Sequence, residues 1–279
     1  MSSRIRIGAV AYLNTEPLVF GMAQGLGEDR VELIYDVPAG LERRMAEGEL
    51  DLALLPVVAL TTLPGLEVVP GFGITVQREA RSVLLVTKRP LESVRTVALD
   101  PESRTSNLLV QLLFARAWKH CPRYTTGSAT IGDTLEQADA AVRIGDKALF
   151  EPLAPGLEAI DLGRAWNDMT RLPFVFAVWA AKPGMVDDGL CRVLHESRRA
   201  GILAMERIAA GFSWRGQRDP DLVRHYLTEH IDYGLGAAEL EALRLFFSSL
   251  AELGLIREAP EWVLADVVPG DRQASAVGE

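Results

Sequence analysis

The chain has few of the residues that most metal, redox and nucleophilic chemistries require. Among its 279 residues only two are cysteine, Cys121 and Cys191, and they stand far apart. That pattern excludes a disulfide framework and a C-x-x-C redox or zinc site. The four histidines, His120, His195, His225 and His230, show no ligand spacing to a cysteine or to a second histidine, and His195-Glu196 lacks the rest of H-E-x-x-H. There is no G-x-S-x-G nucleophile turn, no Walker loop and no G-x-G-x-x-G after a strand, and Gly71-Phe72-Gly73 is too short to cradle a phosphate. Metal, nucleotide and triad chemistries therefore have little to stand on. Basic residues are in the minority, 29 Lys and Arg against 38 Asp and Glu, and the net charge of −9 argues against a nucleic-acid partner. No apolar run approaches the roughly 20 residues that span a bilayer. The start, M-S-S-R-I-R-I-G-A-V, runs into a strand without the apolar region of a signal peptide. The expectation is a cytoplasmic protein with no membrane partner, no metal and no cofactor.

What is present describes a globular protein. Hydrophobic residues make up 48% and charged residues 24%, and the length suffices for two domains with separate cores. The first half alternates strand-like and helix-like segments. Arg4–Val10 and Val31–Tyr35 read as strands, each followed by a helical pattern, and Leu52–Pro56 is a nearly continuous apolar run of the kind buried on both faces. Ser82–Lys88, Thr96–Leu99 and Ala140–Ile144 are further strands. This alternation predicts an α/β fold with mostly parallel sheets. After Lys182-Pro183-Gly184 the pattern changes to long amphipathic helices, including the face formed by Leu222, Val223, Tyr226 and Leu227. These read as packing helices without chemistry. The tail from about Arg257 reads as peripheral. Two crossings, near 86–90 and 177–183, suggest an interrupted first domain, 1–88 plus 180–279, with 89–179 inserted as the second.

Polar residues gather where apolar strands end. Ser103-Arg104-Thr105-Ser106-Asn107 follows a strand and Asp100-Pro101, and opens the helical pattern of Leu108, Leu109, Leu112 and Leu113. A helix start carries free N–H groups and partial positive charge, so it suits an anion. One serine suffices as a cap, so the surplus of polar groups points to a carboxylate or phosphate ligand. Because the protein as a whole is acidic, attraction must come from such local dipoles, hydroxyls and a few arginines. Asn14, in Val10-Ala11-Tyr12-Leu13-Asn14-Thr15, either donates to a ligand or caps the next helix. Arg81-Ser82 precedes one strand and Ile144-Gly145-Asp146 ends another, where glycine allows close backbone approach.

Together these blocks resemble a known family. Val10–Leu18, Ala98–Ser106, Ile144–Leu149, Asp161-Leu162-Gly163 with Trp166, and Leu172–Ala177 with Trp179 are similar, in order, to chorismate dehydratase of the futalosine route to menaquinone. The resemblance implies a two-domain fold like that of type II periplasmic solute-binding proteins, with an interdomain cleft. It also implies loss of water from chorismate, a small-molecule substrate, to give 3-[(1-carboxyvinyl)oxy]benzoate without a cofactor. By the same resemblance, Asn14 and Ser82 act in catalysis by orienting the substrate, and Tyr12 and Leu13 contribute to binding. Ser103, Thr105 and Ser106 hold a carboxylate, and Gly145 and Asp146 line the opposite side. Arg104 either grips a carboxylate or points outward. The base is either Asp146 or the substrate's own enolpyruvyl carboxylate. Trp166, Phe174 and Trp179 read as packing residues. The competing reading is a solute-binding or ligand-sensing module for a small dicarboxylate, since the fold alone supports either.

Overall fold

The computed structural model describes residues 4–128 and 130–267. Its strands are β1 (Ile5–Ala9), β2 (Val31–Tyr35), β3 (Leu52–Pro56), β4 (Glu67–Val76), β5 (Val83–Thr87), β6 (Thr96–Leu99), β7 (Arg123–Thr126), β8 (Ala140–Ile144), β9 (Glu158–Asp161), β10 (Phe174–Ala181), β11 (Asp232–Leu235) and β12 (Val263–Leu264). They form two sheets. The first runs β11-β4-β10-β3-β1-β2, with β12 against β4, and the second runs β7-β6-β8-β5-β9. The apolar run of β3 is central in the first sheet, with four of its five residues buried, as two covered faces require.

Two expectations from the sequence need correction. The sheets are mixed rather than mostly parallel: β1 pairs parallel with β2 and β3, but β10 is antiparallel to β3 and β4, and β5 is antiparallel to β8 and β9. The expected crossing at 88/89 also falls too late. Val83–Thr87 pairs along its whole length with Ile144–Ala140, so β5 belongs to the second sheet, and the chain crosses at 77–82. It returns before Phe174, because β10 lies between β3 and β4. β4 itself carries Gly71-Phe72-Gly73, and its glycines hide it from a propensity reading.

The helices are α1 (Glu16–Ala23), α2 (Pro38–Ala46), α3 (Arg104–Arg116), α4 (Ile131–Gln137), α5 (Gly145–Phe150), α6 (Leu162–Thr170), α7 (Asp188–Leu203), α8 (Met205–Gly211), α9 (Pro220–His225) and α10 (Ala237–Glu252). α7 fastens α1, and with it the loop that bears Asn14. Small residues let the two backbones touch: a Cβ on Gly201 would lie 2.0 Å from the Pro17 carbonyl oxygen. The Ser197 hydroxyl donates to the Leu18 carbonyl at 2.9 Å and accepts from the Met22 N–H at 3.1 Å. Trp166, Trp179 and Phe174 are packed in the core, as expected, with Trp166 and Phe174 edge-on to Phe246 of α10. In the tail, β12 lies against β4 with Val263 exposed, and residues 268–279 lie outside the described residues.

Candidate active site

Between the two sheets lies a void of about 710 Å³, measured out to its solvent-facing mouth. Tyr12 and Asn14 reach it from the loop after β1, Ser82 from the crossing before β5, Ser103, Thr105 and Ser106 from the start of α3, and Gly145 from the end of β8. Seven residues expected from the sequence thus share one cavity. A wider depression of about 1960 Å³ runs along β9 between Arg81, Trp118 and Arg164. It is open to solvent and holds none of those residues. The cleft is the better site because buried, unpaired polar atoms line it.

Asn14 lies in a 3-10 turn, Leu13–Thr15, directly after β1. Its Oδ1 and the Thr105 Oγ1 are buried and have no hydrogen-bond partner within the protein. Such orphans cost about 1–3 kcal/mol each, and a polar ligand in the cavity would satisfy them. Ser82 is 3% exposed. It follows Arg81, whose left-handed φ of 61° is unfavourable for a residue with a side chain. Asp161 holds that turn by accepting from the Ala80 and Arg81 N–H groups at 3.0 and 2.6 Å, and from Arg164 at the start of α6. The Asp161-Leu162-Gly163 block therefore serves the site indirectly, by fixing Ser82.

The start of α3 divides its polar groups between structure and cavity. Ser103 caps the helix, accepting from the Ser106 N–H at 3.3 Å and donating to the Ser106 hydroxyl at 2.8 Å. Asn107 is structural: its amide clasps the Asp100 N–H and carbonyl at 3.0 and 2.7 Å. Thr105 and Ser106, 3% and 2% exposed, complete the cavity wall. Gly145 takes a positive φ of 67°, which favours glycine, and donates its N–H to the Ser82 carbonyl at 2.8 Å.

Three expected residues do not line the void. Leu13 is fully buried, and it is its backbone N–H that contributes, donating to Asp146 Oδ1 at 3.3 Å. Asp146 therefore braces the Asn14 loop from the opposite sheet. Burial pushes its carboxyl up to about 6, the Leu13 N–H opposes that shift, and Glu16 adds to it. Arg104 pairs with Glu42 of α2 at 2.6 Å and reaches Thr62 at 3.4 Å. It spans the two halves of the molecule outside the cavity. Arg104→Ala is accordingly expected to change KM by less than about threefold, against the ~10-fold or greater loss for a direct charged contact. Steady-state kinetics decide between them, and a loss of 30-fold or more would return Arg104 to the ligand.

The cavity wall carries no arginine or lysine among the described residues, and its one carboxylate, Glu102, is held by Lys147 at 3.1 Å. An anion in this cavity would therefore be held by the α3 N-terminus and by hydroxyl and amide dipoles. Burial, with Glu102, Asp100 and Asp146 nearby, pushes the Tyr12 hydroxyl up to about 12, so it remains a neutral donor. Phe176, Leu54 and Ile74 supply an apolar wall.

One contributor escaped the sequence reading. Tyr226, assigned there to a packing face, opens a π-helical turn after α9 and places its hydroxyl 2.8 Å from Ser82 Oγ. Its apolar neighbours gave no signal of that bond.

A family model described as menaquinone biosynthesis matches residues 5–252 of the chain. The chain belongs to the menaquinone biosynthesis family. Family membership agrees with the relatives found. The chain is 30% identical over 262 residues to a chorismate dehydratase of Thermus thermophilus, covering 88% of this chain and 94% of that protein. It is 26% identical over 257 residues to a chorismate dehydratase of Campylobacter jejuni, covering 89% and 98%. Its structure is similar to the periplasmic aliphatic sulphonate binding protein SsuA of Escherichia coli, with a TM-score of 0.66, 15% identity and coverage of 93% and 90%. At that identity the likeness concerns the fold alone, the two-domain periplasmic-binding-protein architecture expected from the sequence. No helix among the described residues is long and apolar enough to cross a membrane.

Proposed function

We propose that this menaquinone biosynthesis family member is a hydro-lyase that removes water from chorismate, leaving 3-[(1-carboxyvinyl)oxy]benzoate. The observation that carries the reading is the convergence of Asn14, Thr105 and Ser82 on one void, with Asn14 Oδ1 and Thr105 Oγ1 buried and unpaired. The names of the relatives supply the substrate. Chorismate is a dianion with a ring hydroxyl, and this cavity offers dipoles to each of those groups.

The elimination breaks a C–H bond at the ether-bearing ring carbon and the C–O bond at its neighbour. The hydrogen is acidified through the diene by the ring carboxylate, and aromatisation drives departure of the hydroxyl, which leaves as water after taking up the proton. The protein's tasks are then orientation and stabilisation of charge that spreads into the ring carboxylate. The start of α3, with Thr105 and Ser106, holds that carboxylate, while Asn14 and Ser82 fix the other side of the ring. Asp146 is engaged with the Leu13 N–H, and Glu102 with Lys147. The substrate's own enolpyruvyl carboxylate, tethered beside the hydrogen, is therefore the favoured base. Incubation with chorismate, followed by mass spectrometry and ultraviolet absorbance, is expected to show a species lighter by one water with an aromatic spectrum. Tight binding of unchanged chorismate would instead support the solute-binding reading.

A further inference from the structure

We infer that Tyr226 is a positioning residue for this reaction, setting the direction of the hydrogen bond that Ser82 offers to the substrate. The inference rests on the function proposed above, but its geometry does not. Tyr226 is 2% exposed, and its hydroxyl lies 2.8 Å from Ser82 Oγ. A carbonyl oxygen only accepts, so with the Ser82 proton turned to Ala80 the short bond between Ser82 and Tyr226 is donated by the phenol. Ser82 then accepts from Tyr226 and keeps its own proton, whose protein acceptor is the Ala80 carbonyl at a long 3.3 Å.

The bonds therefore run one way, from Tyr226 to Ser82, and end on a hydroxyl proton that can leave its long bond to Ala80 for a ligand. The buried phenol so presents Ser82 as a donor, and each bond in such a chain strengthens the next. Burial raises the phenol well above its ordinary range, which keeps its proton in place throughout the working pH. The two side chains come from distant places, the crossing before β5 and the π-turn after α9. Without the phenol, the Ser82 hydroxyl loses the donor that holds its oxygen in place.

Tyr226→Phe removes the hydroxyl and keeps the ring. It is expected to lower kcat 10- to 100-fold, to change KM less than threefold, and to leave the melting temperature within a few degrees. The double variant with Ser82→Ala should be no slower than Ser82→Ala alone, because both act on one chain of bonds. A purely packing role would leave kcat unmoved, and independent roles would multiply the losses; either result overturns the inference. Wild-type protein that left chorismate unchanged would remove the proposed reaction alone. The Tyr226 assignment would then be decided by a crystal structure of Tyr226→Phe, in which Ser82 Oγ is expected to turn. An unmoved Ser82 Oγ in that structure would overturn it.

Discussion

Asn14→Ala is expected to lower turnover of chorismate by about 10²–10³-fold, the usual cost of removing one preorganised polar group from a charge-stabilising site. The buried Asn14 Oδ1 has no protein partner, so this atom holds nothing in the fold together. The variant should therefore fold and melt near the wild-type temperature while its kcat collapses. Asn14→Asp tests the same point with almost no change of shape. It places a carboxylate in a cavity whose wall, among the described residues, offers no arginine or lysine to a dianionic substrate, so binding should suffer as well as turnover. Steady-state kinetics beside thermal melts separate these effects. A wild-type rate in Asn14→Ala would remove that residue from the site and the proposed mechanism with it.

Asp146→Asn should stabilise the protein above pH 6. The Asp146 carboxyl is held at about 6 in the fold, by burial first and then by Glu16, against its Leu13 hydrogen bond. In an unfolded chain the same group titrates near ~3.9. Between those values the folded state binds more protons than the unfolded one, so stability falls as pH rises through the window, and the loss is complete above about pH 6. A shift of about two pH units corresponds to ~3 kcal/mol in full, which partial solvent access trims to about 2 kcal/mol. Asparagine keeps an oxygen for the Leu13 N–H and abolishes the charge. The expected gain is about 4 °C in Tm at pH 7.5, nearly absent at pH 4. Activity is the second readout. A brace would leave kcat within about threefold of wild type, whereas a loss of 10³-fold would make Asp146 the base and displace the substrate's own carboxylate from that role.

The two arms of the site differed in how legible they were. The α3 start was legible because a strand end, a Pro and a cluster of small polar residues are local signals. Even there the surplus was overcounted, since Asn107 is used on Asp100 and Ser103 on the cap. Asn14 was half legible: its position after β1 suggested a ligand, and only its unpaired oxygen separates that role from a cap. Ser82 looked like an ordinary strand start. Its burial against Tyr226 depends on a partner 144 positions away, which no window of sequence contains. Separation along the chain also explains the misplaced crossing, since the membership of β5 is decided by its ladder to β8 and β9.

By itself the sequence determined the alternation of strands and helices, the absence of metal and nucleotide motifs, the family blocks, and a helix start suited to a carboxylate. These follow from short-range rules: side-chain periodicity, capping chemistry and fixed motif spacing. Tertiary structure alone decided that Arg104 turns to Glu42, that Asp146 braces Leu13, that Asp161 pins the turn before Ser82, and that Tyr226 completes the polar cluster. Each of these choices is a competition among partners brought together only by folding, and it is settled by burial and hydrogen-bond geometry rather than by residue type.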